Sequence, residues 1–275
     1  MPIVVHSVSL VGIDGFPVEI EVDLINRLPA TIIVGLPGSA IRESTHRVRS
    51  AIASSERPYP RKRVVVNLAP ADVPKVGTGF DLPIAVAIVC AGLESIPVRL
   101  RSTAFAGELS LDGALKPIPG ALSIAINAAA NGIKRIVLPT ESAQEAAVVD
   151  GITVHGAATL ADVIDWVNGG ESLPVPTTPE PAVLNATVDM SEVRGQHQAR
   201  RGLEIAAAGG HNLLMMGPPG CGKTMLATRM ATILPRLTHT EALEITRLHA
   251  AAGLVAAGSG LVTHRPFRAP HHSVT

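Results

Sequence analysis

The sequence predicts an α/β protein built as two folded units, and three observations carry that prediction. Strand-like and helix-like stretches alternate over residues 1–170. A spacer over 171–187 places four prolines (174, 176, 179 and 181) within eight positions, which neither a helix nor a sheet interior accepts. Beyond it, over 188–275, a short apolar run leads into a glycine-rich turn and then a helical stretch. With 275 residues the chain has room for one large domain or two modest ones.

In the first unit, Val18, Ile20 and Val22 alternate with Glu19, Glu21 and Asp23, the period of a strand with one solvated face. Ala30 to Val34 and Arg63 to Leu68 predict further strands, and Ser39 to Ser54 a surface helix with one charged side. Asp81 opens an apolar helix containing Cys90. Ala121 to Asn131 is Ala-rich and helical, Gly132 stops it, and Arg135 to Leu138 resumes as a strand. Leu160 to Val167 predicts a last short helix. After the spacer, Gln196 to Ala208 predicts a helix ended by Gly209-Gly210. Asn212 to Met216 predicts a buried strand, Met225 to Leu234 a helix, and the Thr238/Glu241 capping box starts another that runs to Gly253.

Composition narrows the class. Hydrophobic residues make up 47% and charged residues 17%, which excludes extended disorder as the main state. Aromatics reach only 2%, so Ala, Val, Ile and Leu must build the core. Two cysteines, Cys90 and Cys221, form no disulfide framework and fit a reducing compartment. MPIVVHSVSL has neither a basic n-region nor a small-residue cleavage site, and the longest apolar stretch, Leu82 to Leu93, is 12 residues with a proline inside. A membrane span needs roughly 20. A soluble, cytoplasmic protein is expected. The net charge of zero conceals a split: from Arg194 onward nine Lys or Arg face three glutamates, a net of +6, against −6 for the first 193 residues. A basic half is suited to nucleotide or nucleic acid, although a chance surface balance gives the same count.

Residues 217–224, Gly217-Pro218-Pro219-Gly220-Cys221-Gly222-Lys223-Thr224, satisfy G-x-x-x-x-G-K-[ST] at every fixed position. Glycines let the backbone curl so that successive N–H groups point inward at phosphate oxygens. In such a loop Lys223 faces the β- and γ-phosphates of ATP, and the Thr224 hydroxyl is the Mg²⁺ ligand. A following helix adds its N-terminal dipole. Cys221 is open to two readings, a thiol activated by that helix terminus or a small filler of the turn. His264 to His272 is basic and proline-punctuated: Arg265 and Arg268 suit phosphate contact, or the segment is an ordered surface loop. The adjacent His271 and His272 diverge, and no nearby Cys or Asp completes a metal site. Hydrolysis needs a later acidic strand end, yet no aspartate follows Asp189, and after Thr224 the carboxylates are Glu241 and Glu244. With 51 residues beyond Thr224, the chain is expected to be the front portion of a longer protein.

Val193-Arg194-Gly195-Gln196, Leu203 to Leu214, the loop at 217–224 and Arg265 to His272 together resemble the ComM/YifB group of magnesium-chelatase-like AAA+ ATPases. The front half is similar to the same family through Gly35-Leu36-Pro37, Ile41-Arg42-Glu43-Ser44, Val66 to Asp72 and Phe80-Asp81-Leu82-Pro83. The resemblance implies a Lon-protease-like (ribosomal S5 domain 2-like) α+β domain, followed by a P-loop AAA+ α/β domain that ends before its Walker B strand. It also implies ATP and Mg²⁺, a hexameric ring, a DNA branch-migration role, and Val193, Gly195 and Gln196 near the adenine. Against the Lon pattern, Gly79 stands at the nucleophile position and Leu122 at the lysine position, so proteolysis is not expected. Two rival readings are a true magnesium chelatase and a non-hydrolysing nucleotide-binding or assembly module. A chelatase motor subunit is not expected to carry a Lon-like domain in front.

Overall fold

A computed structural model of the chain describes residues 2–181, 188–255 and 259–270. The chain divides into two compact units, Met1–Glu180 with Arg247–Gly260, and Pro181–Thr246 with Leu261–Thr275.

The first unit is mixed α/β. Its strands are β1 (Ile3–Val11), β2 (Asp14–Ile25), β3 (Ala30–Val34), β4 (Arg63–Ala69), β5 (Thr103–Phe105), β6 (Glu108–Leu109), β7 (Leu115–Lys116), β8 (Arg135–Pro139) and β9 (Thr153–Ala157). Seven of them form one sheet in the order β3-β4-β2-β1-β5-β8-β9, while β6 and β7 pair separately. Four pairings in the large sheet are parallel, β3–β4, β1–β5, β5–β8 and β8–β9. The hairpin β1–β2 and the pair β2–β4 are antiparallel. The helices are α1 (Ser39–Ser54), α2 (Asp81–Cys90), α3 (Ala121–Ala130), α4 (Thr140–Ala146) and α5 (Leu160–Val167).

The period-two signal in β2 places Val18, Ile20 and Val22 in the core while Glu19 and Asp23 stay exposed. Strand β4 does the same with Val64, Val66 and Leu68. Helix α2 is apolar all round and buries every residue except Val89. Its Pro83 lies in the first turn, where a missing N–H costs nothing. Helix α5 starts on a capping box between Thr159 and Asp162.

Strands β1, β5, β6, β7 and β9 and helix α4 carry no clear sequence signal. Each of β5, β6 and β7 is three residues or fewer, too short for a periodicity to register. The proline-rich stretch is anchored in its early part: Leu173 is buried, and the Gly156 N–H donates to the Pro174 carbonyl over 2.8 Å.

In the second unit, a 3₁₀ turn (Met190–Glu192) precedes α6 (His197–Gly209) and α7 (Lys223–Met230), and α8 (His239–Ala251) begins there, its last residues from Arg247 belonging to the first unit. Met190, Val193, Leu203 and Leu226 form its small core. Helix α6 ends on Gly210 in the left-handed conformation, and α8 begins on the expected capping box between Thr238 and Glu241. Two expectations are corrected. Asn212 to Met216 is not a strand: Leu214 is 81% and Met216 85% exposed. No strand stands among the described residues of this unit, and an isolated strand cannot pair its backbone groups. Helix α7 ends at Met230, and residues 231–234 turn rather than continue it. No helix among the described residues is long and apolar enough to cross a membrane.

Candidate phosphate-binding site

The turn at 217–224 curls back on its own lysine. The Lys223 ammonium donates to the carbonyls of Gly217 and Pro218, both at 2.8 Å, and lies 3.5 Å from the Cys221 sulfur. Gly220 and Gly222 adopt φ of +79° and +88°, which an L side chain rarely enters, so the curl depends on glycine at both positions. Gly222 is the N-cap of α7 and has no side chain to fill that role. The first N–H groups of α7 therefore remain available to an anion at its positive end. Thr224, the second residue of α7, is exposed on this terminus.

The second segment expected at the site lies against the loop. Gln196 donates from Nε2 to the Cys221 carbonyl over 3.3 Å and holds a left-handed φ of +55° between Gly195, at +69°, and α6. Val193 is buried in the small core, and its carbonyl accepts from Arg200 over 3.2 Å. Three further residues, without any motif of their own, lock this segment onto α7. Arg229 pairs with Glu192 at 2.6 Å and donates to the Asp189 carbonyl, while the Thr232 hydroxyl accepts the Met190 N–H. A hydrogen bond from the Ser191 hydroxyl is the largest cause holding the Asp189 carboxyl below its ordinary range. Arg229 and Thr232 sit three residues apart on and just past α7, facing 189–192; that spacing is a signal only once the partner segment is known.

Of the two readings of the basic loop, Arg265 fits the ordered surface loop. Arg265 does not project: it grips the Glu241 carboxylate with both oxygens within 3.1 Å and donates to the Pro235 carbonyl. Arg268 is exposed. His271 and His272 lie outside the described residues. Among the described residues, no group of three or more His, Cys, Asp or Glu is placed to hold a metal ion. The first unit contains a cavity of about 340 Å³ lined by Thr140, Gln144, Gly156, Pro174, Pro176, Thr177 and Pro179, with no charged side chain among them.

Two family profiles match the chain: one described as Subunit ChlI of Mg-chelatase over residues 20–142, the other as Magnesium chelatase, subunit ChlI, over residues 189–275. The Escherichia coli protein YifB, described as uncharacterized, is 42% identical over 275 residues, covering 99% of this chain and 53% of the relative. Competence protein ComM of Haemophilus influenzae is 42% identical over 281 residues, covering 99% and 54%. The chain belongs to the ComM/YifB magnesium-chelatase-like family. It spans about half the length of these relatives. Lon protease 1 of Hydrogenovibrio crunogenus is a weaker likeness, 29% identical over 141 residues that cover 47% of this chain and 17% of that protein.

Magnesium-chelatase-like proteins use nucleotide and Mg²⁺ as a class. The residues here fit both: a glycine-dependent curl, a lysine held at its mouth, and a hydroxyl on the following turn.

Proposed function

We propose that this chain is the nucleotide-binding portion of a ComM-type motor, in which ATP binding drives a ring acting on DNA junctions. The observation that carries the reading is the Lys223 ammonium held by the Gly217 and Pro218 carbonyls at the uncapped start of α7. On this reading Lys223 exchanges those carbonyls for phosphate oxygens, the α7 N–H groups bind the same anion, and Thr224 ligates Mg²⁺. Val193, Gly195 and Gln196 line the adenine side. ATP and Mg²⁺ together supply the phosphoryl chemistry of the full motor.

Binding without turnover is the expected behaviour of this chain. Beyond Thr224 its carboxylates are Glu241 and Glu244; Glu241 is engaged by Arg265 and by the cap of α8, and Glu244 is exposed. Neither is free at a strand end to position water. A fluorescent ATP analogue should bind, and Lys223→Ala should abolish that binding. Steady hydrolysis above the Lys223→Ala background would show that the hydrolytic residues are already present.

The same features support a second reading, a nucleotide-dependent assembly module. The first unit is then a non-proteolytic platform of the Lon type. Supporting this, a Cβ on Gly79 would meet only the Ile118 methyl groups, at 3.6 and 3.9 Å. A serine has room there, so its absence is not forced by packing. Leu122 is buried, and the Lys75 amine is committed to the Pro70 carbonyl.

A further inference from the structure

The +6 of residues 194–275 is not the densest charge in the molecule. Residues 27–63 carry eight Lys or Arg against Glu43 and Glu56, a net of +6 within 37 positions, while the remainder of residues 1–193 has six cations against 18 carboxylates. The fold gathers this charge rather than spreading it. In the sheet register Arg63 of β4 sits beside Ile25 of β2 and Ala30 of β3, so the β2–β3 turn and the chain entering β4 meet at one end of the sheet. That end presents Arg27, Arg61 and Lys62, all exposed, beside Arg63. Helix α1 adds Arg49, whose guanidinium lies 5.4 Å from the centre of the Tyr59 ring, and the Tyr59 hydroxyl shares a 2.7 Å hydrogen bond with Thr31 of β3.

Two other arginines of the segment are neutralised. Arg47 is bound by Asp81 and Arg57 by Asp165. Among the described residues, no carboxylate pairs with Arg27, Arg49, Arg61, Lys62 or Arg63. Four like charges near adjacent strand ends, joined by Arg49 of α1 and with no carboxylate in ion-pair contact, repel one another, and an anion bound among them relieves that repulsion. Neighbouring strands are about 4.8 Å apart, so the cations are spread over a surface rather than focused on one point. A polyanion with regularly spaced phosphates matches such a spread, and exposed Lys and Arg are the usual partners of a nucleic-acid backbone.

We propose that the sheet end formed by Arg27, Arg49, Arg61, Lys62 and Arg63 is a DNA-backbone contact surface on the first unit. This rests on the DNA reading above and assigns the contact to the first unit instead of the Arg265 loop. Binding there is set by phosphate charge, so it is insensitive to base sequence and falls steeply with salt.

The test compares the full chain with the triple variant Arg27→Ala, Arg61→Ala, Lys62→Ala, all at exposed positions, with thermal unfolding as the check on folding. Binding of a labelled 30-mer duplex of arbitrary sequence is measured from about 50 to 200 mM salt, with a matching RNA and poly-glutamate as parallel probes. The expected result is at least a tenfold loss of DNA affinity at the lowest salt and a log–log salt slope shallower by about 3, one per lost phosphate contact. Nucleotide binding should be unchanged. If wild type binds DNA and the triple variant matches it in affinity and slope, this surface is refuted while the DNA reading stands. Loss of that binding in Arg268→Ala would then move the contact to the other unit. If wild type binds no DNA at any salt, both fail. Tighter binding of poly-glutamate or RNA than DNA, lost in the variant, also overturns the proposal by assigning the patch to another partner.

Discussion

Arg47 and Asp81 show what one buried pair contributes. Arg47 donates to Asp81 from Nε at 2.8 Å and from a terminal nitrogen at 3.1 Å, and the Leu109 N–H adds a third, longer bond at 3.3 Å. Burial pushes the Asp81 carboxyl up from its ordinary value, and the bidentate guanidinium opposes that push. Removing the arginine leaves a buried carboxylate unpaired, which costs about 3–5 kcal/mol. Arg47→Ala should lower stability by that order in urea unfolding. Its deficit should grow as pH rises: without Arg47 the folded Asp81 holds its proton more tightly than the unfolded chain does. Stability is then fully present below the ordinary Asp value and lost as pH climbs through the raised folded one. A deficit that does not vary between pH 4 and 8 would contradict this. Glu241 has the opposite sign. The Thr238 N–H, followed by Arg265, holds its carboxyl below the ordinary range. Its contribution is present above the ordinary Glu value and lost as pH falls through the lowered one. Loss of α8 helicity on acidification should therefore be smaller in Glu241→Gln than in wild type. The motif at 217–224 was legible residue by residue, whereas Arg229, Thr232 and the Arg265–Glu241 grip were not. Their partners lie 24 to 42 residues away in sequence.

At the scale of elements, periodicity succeeded where one face is solvated. Helices α1 and α5 and strands β2 and β4 each set buried positions against more accessible ones, and each is legible in the sequence. Helix α2 is the complementary case, apolar on all sides because the sheet side and neighbouring helices cover it. Ile88→Ala, at a fully buried position, should cost about 2–5 kcal/mol, and Val89→Ala, at the half-buried position, distinctly less. Equal costs would mean that α2 is not enclosed. Asn212 to Met216 has the composition of a buried strand but no paired neighbour among the described residues. Its amides should exchange with solvent far faster than those of β2, which is paired on both sides by β1 and β4. Protection of 212–216 comparable to β2 would show that a pairing partner forms in solution.

For the whole molecule, the two units differ in how they are held. The first has a continuous core running from Ile3 to Leu173, whereas the described cluster of the second is smaller, built on Met190, Val193, Leu203 and Leu226 with partly buried neighbours. Limited proteolysis should leave an N-terminal fragment that extends through Pro174, because Leu173 is buried and the Pro174 carbonyl is taken by Gly156. Survival of the 188–275 piece in preference to the first unit would reverse that order. Opposite regional charges have a consequence at this scale too: raising salt should weaken DNA binding while leaving nucleotide binding, which depends on backbone N–H groups as well as charge, much less affected.

Local chemistry settled a great deal in the sequence alone. A glycine-lysine-threonine spacing, a capping box and a run of alternating valines act over fewer than ten residues, so their meaning does not depend on what folds around them. The glycine-rich turn at 217–224, the helix starts at Ser39, Asp81 and Leu160 and the family resemblance were all within reach for that reason. Tertiary structure decided everything that requires two distant segments to meet. It brought Gln196 onto the Cys221 carbonyl, turned Arg265 inward to Glu241, left 212–216 without a sheet, and collected Arg27, Arg61 and Lys62 at one end of the strands. A charge has no direction in a sequence; only the packing around it determines whether it is neutralised by a carboxylate or left facing solvent.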